Sequence, residues 1–90
     1  MTRDRPNYEK KCGEDPDSPN RSFKLSGASA TEANCKKKCE EDMECIAMSG
    51  IWGIGISEHW FCIGCKVPLY TFHRYAIAFK RDVKGKILMY

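Results

Sequence analysis

Six cysteines in a chain of 90 residues, Cys12, Cys35, Cys39, Cys45, Cys62 and Cys65, constrain this protein more than any other feature. A chain this short has a small core relative to its surface and needs bracing, and an even cysteine count at such density reads as a disulfide framework. A framework of that kind implies an oxidising compartment, so the domain is expected to be secreted or extracellular. The first 24 residues are polar and hold no apolar core of the kind a secretory signal needs, so the sequence reads as a mature domain or as one cut from a larger secreted or surface protein. Asn20-Arg21-Ser22 is a glycosylation sequon, which makes Asn20 a candidate acceptor.

Geometry limits how the cysteines pair. Cys62 and Cys65 cannot bond to each other within a straight strand, because three steps of roughly 3.3 Å hold their Cα atoms about 10 Å apart and on opposite faces. Cys35 and Cys39 are four apart and project from one face of a helix. Cys39 and Cys45 bracket the end of that helix and the turn after it, so they form the natural short bridge. Cys62 and Cys65 then each take one of Cys12 and Cys35. Cys35 with Cys62 and Cys12 with Cys65 is the favoured arrangement, and the exchanged pairing stays open.

The remaining elements follow from pattern. "GEDPDSPN", residues 13 to 20, is dense in turn formers and marks a loop. Arg21 to Leu25 reads as a short strand. Ser29 and Glu32 have capping-box spacing, so a helix is expected from there to Glu40 or Glu41. "CIAMS", "HWFCIGCK" and "YAIAFKR" read as strands, and "DVKG" as a turn into a last strand "KILMY". The fold class is therefore α+β, a small disulfide-rich single domain over residues 1 to 90.

The net charge of +3 is unevenly spread. Residues 25 to 50 carry three Lys/Arg against five Asp/Glu, whereas residues 51 to 90 carry six against two. The basic last third favours an acidic glycan or protein surface, with Lys66, Lys80, Arg81, Lys84 and Lys86 as its contacts. Nucleic acid is disfavoured, since no recognition motif is visible. The triplet Lys36, Lys37 and Lys38 points in three directions around a helix and is expected to be a solvated face, partly neutralised by Glu40 and Glu41.

"SGIWGIGISEHWFCIGC", residues 49 to 65, is the most unusual stretch. Its apolar part is too short to cross a bilayer and is broken by glycines, so no membrane insertion is expected. In an extended conformation Trp52, Ile54 and Ile56 would share one side and Gly53 and Gly55 the other. Trp52 with His59 and Trp60 would then form an aromatic lip for a sugar ring or an apolar side chain, unless Trp52 and the isoleucines fold back to enlarge the core.

"CKKKCEEDMEC" has the C-x3-C-x5-C spacing of apple domains, members of the PAN group, and "IAMS", "WFCIGCK" and "YAIAFKR" resemble that family's other landmarks. The resemblance covers roughly residues 8 to 82. It implies a twisted antiparallel sheet of about five strands cradling one α-helix. It also implies bridges from helix to central strand, Cys35 with Cys62 or Cys65, and from helix end to next strand, Cys39 with Cys45. Family members mediate adhesion to proteins or carbohydrates and are not catalytic through this module, so the resemblance implies a recognition module with no cofactor. The chain departs from the family in having no cysteine after Cys65, so Cys12 must reach an inner strand. Two alternatives stand beside this reading: a small intracellular domain stabilised by zinc on Cys35, Cys39, Cys62 and Cys65 or with His59 recruited, and a secreted structural or effector protein with no pocket. A redox Cys62-Cys65 pair is disfavoured because its surroundings read as a strand and not as a helix N-terminus, nothing in the spacing supplies cysteine-histidine hydrolysis with an orienting third group or an oxyanion hole, and no enzymatic activity or catalytic residue is expected.

Overall fold

The computed structural model describes residues 1–13 and 19–81. Along these, the elements are β1 (Thr2–Arg3), β2 (Lys10–Lys11), β3 (Arg21–Ser26), α1 (Glu32–Glu41), β4 (Ala47–Ile51), β5 (Phe61–Cys65), β6 (Thr71–Phe72) and β7 (Ile77–Lys80), with three short 3-10 turns between them. Five strands form one antiparallel sheet in the order β1-β7-β4-β5-β3, and β2 and β6 pair as a separate two-stranded ribbon. This is a small disulfide-rich α+β domain with one α-helix among the described residues. The expected turn at 82 to 85, the strand "KILMY" and residues 14–18 of the expected loop lie outside the described residues.

The sheet is a middle layer. In its register Met48 lies between Gly64 and Phe79, and Gly50 between Cys62 and Ile77. Met48, Cys62 and Phe79 pack with Ala30, Cys35, Cys39 and Cys45 in one buried cluster under α1. Ala47, Ile63, Cys65 and Ala78 belong to a second cluster on the other face, which Cys12 and Leu69 cover. Both faces of the central strands are thus closed, which is why "AMSG" and "CIGC" are buried without a polar break. The buried hydroxyl of Ser49 keeps a partner by donating to the Lys10 carbonyl of the ribbon. Phe23 lies directly across Gly64, where any Cβ would collide with its ring.

The six cysteines pair as Cys12–Cys65, Cys35–Cys62 and Cys39–Cys45, with Cα separations of 6.0, 6.3 and 5.3 Å. Cys62 faces the helix and Cys65 the opposite cluster, so one strand is stapled on both sides. The two long bridges, closing separations of 53 and 27 residues, stabilise the fold by about 3 to 4 kcal/mol each in the chain-entropy account. All six cysteine sulfurs are in disulfides.

Three local expectations are corrected. The helix is capped by Thr31, whose hydroxyl accepts the Asn34 N–H at 3.2 Å, and not by Ser29. Gly27, at φ +76°, diverts the chain into a 3-10 turn over Gly27–Ser29, and the Ser29 hydroxyl donates to the Ser26 carbonyl instead. Lys36 is paired with Glu32, one turn before it, at 3.3 Å, and its ammonium stands 4.8 Å above the Phe79 ring, while Glu40 holds the Met1 α-amine. The strand expected from Tyr75 starts at Ile77, because Tyr75 has a positive φ of 67° and breaks extension.

Candidate binding surface

The segment after β4 is not extended. Gly53 and Gly55 take φ of +78° and +67°, a left-handed backbone that glycine enters without penalty, and the chain curls instead of alternating. Trp52 turns back and stacks on Phe79, ring centroids 6.2 Å apart and 26° between planes. Trp60 donates its indole N–H to the Ile54 carbonyl at 3.0 Å and ties the loop closed. Both indoles are half-buried against the helix-side cluster. Ile54, Ile56 and His59 are left outside, with His59 at the end of the 3-10 turn Ser57–His59.

The basic candidates sit at the end of the sheet where β4 begins, since the backbone N–H of Ile46 donates to Cys65 and that of Arg81 to Ile46. Their side chains differ in employment. Lys66 lies 3.5 Å from Glu44. Arg81 is half-buried and donates to the Cys39 carbonyl at 2.6 Å, satisfying one of the last carbonyls of α1. Lys80 is exposed and edges a small cleft of about 170 Å³ with Asp4, Asn7, Ile46, Ala47, Pro68 and Leu69, below the size of a usual small-molecule site. Lys84 and Lys86 lie outside the described residues. Asn20 donates its amide to the Tyr70 hydroxyl at 3.0 Å, and its carbonyl accepts the Lys66 N–H.

The exposed aromatic rings lie elsewhere and close together in sequence. Tyr70, Phe72 and Tyr75 are 58%, 67% and 60% exposed, within six residues of "YTFHRY". Alternation along β6 sends Tyr70 and Phe72 outward and Thr71 and His73 inward. Thr71 accepts the Gly13 N–H, and the His73 ring meets Phe61 edge-on at 5.0 Å. Lys10 stands directly across the ribbon from Phe72.

Beyond β6 the chain is pinned in a strained turn. Tyr75 and Glu9 are the non-glycine residues with positive φ among those described, at 67° and 63°. They hold each other. The Glu9 carboxylate accepts the Tyr75 N–H at 3.0 Å, the Glu9 N–H donates to the Ala76 carbonyl at 2.7 Å, and the Glu9 carbonyl accepts the His73 N–H at 2.8 Å. A bulky aromatic residue in this region is a rare conformation that surrounding structure must impose. Arg74 lies 4.9 Å over the Tyr75 ring, a cation on an aromatic face. Burial, then the charges of Lys11 and Arg21, hold the His73 imidazolium below its ordinary range of stability and lower its pKa.

Sequence reasoning passed over Tyr70, Phe72 and Tyr75 because "YAIAFKR" absorbed Tyr75 into a strand. The available signal was the period-two placement of Tyr70 and Phe72 with an Arg-Tyr pair after it. Among the described residues no three His, Cys, Asp or Glu side chains group as metal ligands, and no helix is long and apolar enough to cross a membrane. Comparison of the chain with family models, with curated proteins and with solved structures finds no match in any of the three.

Proposed function

We propose that this domain is a non-catalytic extracellular recognition module of PAN/apple type, which binds a protein or carbohydrate partner through the face formed by Tyr70, Phe72 and Tyr75. The observation that carries the reading is three exposed rings within six residues, Tyr70 and Phe72 at the ribbon and Tyr75 on the strained, hydrogen-bonded turn that follows it. Isolated exposed apolar residues need no explanation, but rings grouped beside cations on a rigid support have the composition of interaction hot spots. Backbone strain of the kind at Tyr75 and Glu9 persists where geometry matters to function.

Support for the family comes from the bridges. The helix-to-sheet bond Cys35–Cys62 and the helix-end bond Cys39–Cys45 are the two that the resemblance implies. Three bridges in so small a domain also suit an oxidising environment.

Protein and glycan arrays probed with the folded domain and with a Phe72→Ala/Tyr75→Ala variant test the assignment. Signals that disappear in the variant, at unchanged thermal stability, are expected. Signals retained in full by the variant would move the binding site elsewhere.

A further inference from the structure

We propose that the partner at this face is an extended, acidic polypeptide segment with an apolar side chain between its carboxylates, an inference that rests on the reading of Tyr70, Phe72 and Tyr75 as the binding surface. Three features favour polypeptide over sugar. The indoles are the best stacking platforms for a sugar ring, and both are half-buried and engaged within the domain, Trp52 stacked on Phe79 and Trp60 with its N–H on the Ile54 carbonyl. The Tyr75 ring already carries the Arg74 guanidinium at 4.9 Å, so a partner meets a cationic fork there and not only a bare ring. A guanidinium pre-oriented on an aromatic face matches the planar, bidentate geometry of a carboxylate. Tyr70 and Phe72 point outward from alternate positions of a strand, about 7 Å apart, which is the repeat of alternate side chains in an extended peptide.

Charge on the ribbon fits the same partner. Lys10, directly across the ribbon from Phe72, is half-buried and donates to the Asn7 side-chain carbonyl at 3.2 Å with N–H groups to spare, Arg74 is exposed in the turn, and the Glu9 carboxylate is engaged by the Tyr75 N–H. A second copy of the same face would repel this one. A partner that places carboxylates against Lys10 and Arg74 and an apolar group on Phe72 is complementary in both charge and shape.

The test is a random phage-displayed peptide library selected on the folded, disulfide-intact domain, with the enriched peptides then titrated against Phe72→Ala and Arg74→Glu variants. Both substituted residues are exposed, and melting curves confirm that the variants fold. Enriched peptides rich in Asp and Glu around an apolar residue are expected, with affinity falling about tenfold or more in each variant and weakening as salt rises. Acidic peptides that bind both variants as well as the parent would overturn the inference and the surface reading together. Selection without acidic enrichment, alongside array glycans that Phe72→Ala abolishes, would overturn the inference and leave the surface reading standing. Concentration-dependent self-association lost in Phe72→Ala, measured by sedimentation equilibrium, would replace the foreign partner with a second copy.

Discussion

Two connections in this domain carry its conspicuous aromatic residues and treat them in opposite ways. Residues 52 to 60 join β4 to β5, and the path through β6 to the turn at Tyr75 joins β5 to β7. In the first, left-handed glycines at 53 and 55 let the chain reverse, and Trp52 returns to the sheet. In the second, Tyr75 is left-handed too and is held by the carboxylate of the left-handed Glu9, which precedes β2, and the rings stay outside. What lies beneath decides the outcome. Gly50 has no Cβ to obstruct the Trp52 ring, which comes close enough that a methyl there would clash, and Phe79 offers a face to stack on. Under the ribbon the sheet is already covered by the Cys12–Cys65 bridge with Ala47, Ile63, Leu69 and Ala78. Rings reaching that side find no vacancy and remain outside.

The largest expected effect separates the two regions directly. Trp52→Ala removes a half-buried indole from the helix-side cluster and should destabilise the domain by about 2 to 4 kcal/mol. Phe72→Ala removes a ring that is 67% exposed and should change stability by no more than about 0.5 kcal/mol. Urea unfolding of both variants checks this, and equal losses would erase the distinction between a core ring and a presented one.

How much of this was legible in the sequence depends on the range of the forces involved. The capping-box spacing of Ser29 and Glu32 points to the helix, the four-residue spacing of Cys35 and Cys39 to its inward face, and the patterns of "CIAMS", "HWFCIGCK" and "YAIAFKR" to β4, β5 and β7, because these signals are local. The N-cap was misplaced by two residues because Ser29 and Thr31 offer the same hydroxyl chemistry, and the choice turned on the 3-10 turn that Gly27 starts. The ribbon was invisible. Its strands are two residues each, too short for the alternation around Phe72 to stand out, and they exist through the pairing of Lys10 with Phe72 and Lys11 with Thr71, distant in sequence. The fate of Trp52 was also unreadable locally, since it depends on Phe79 in β7 and on the missing side chain at Gly50.

Smaller perturbations sharpen the contrast between the two backbones. A Cβ at Gly53 or Gly55 meets open space, so Gly53→Ala and Gly55→Ala should each cost about 1 kcal/mol through backbone conformation alone. Tyr75→Asn puts a residue tolerant of positive φ into the strained turn and gives up the Arg74 stacking, worth about 0.5 kcal/mol at an exposed site. Its stability should match the parent or exceed it by less than about 1 kcal/mol, while binding at the face is lost. Chemical denaturation reads all three, and a strongly destabilised Tyr75→Asn would mean that the ring supports the fold and is not merely presented by it.

The smallest effect concerns pH and reaches the ribbon through His73. Burial disfavours its charged form, and Lys11 and Arg21 add to that, so its folded pKa lies below the unfolded value of about 6.5. A histidine lowered in this way binds fewer protons folded than unfolded. As pH falls through about 6.5 the unfolded chain takes up the proton first, and stability declines until the folded pKa is passed, below which this contribution stops changing. Above about pH 7 both states hold a neutral ring and the group is silent. Carboxylates also begin to titrate toward acid, so the parent alone cannot isolate the effect, but the difference between parent and His73→Gln can. Urea unfolding from about pH 8 to about pH 5 should show a shallower loss of stability in His73→Gln. Amide exchange in the parent should show that the acid-induced weakening is greater at the Tyr75 N–H, which the turn holds on Glu9, than at the Trp60 N–H, which the 3-10 turn holds on Ser57. Equal pH slopes in the two proteins would remove His73 from the account, and weakening centred on Trp60 would assign the acid-sensitive opening to the loop instead of the ribbon.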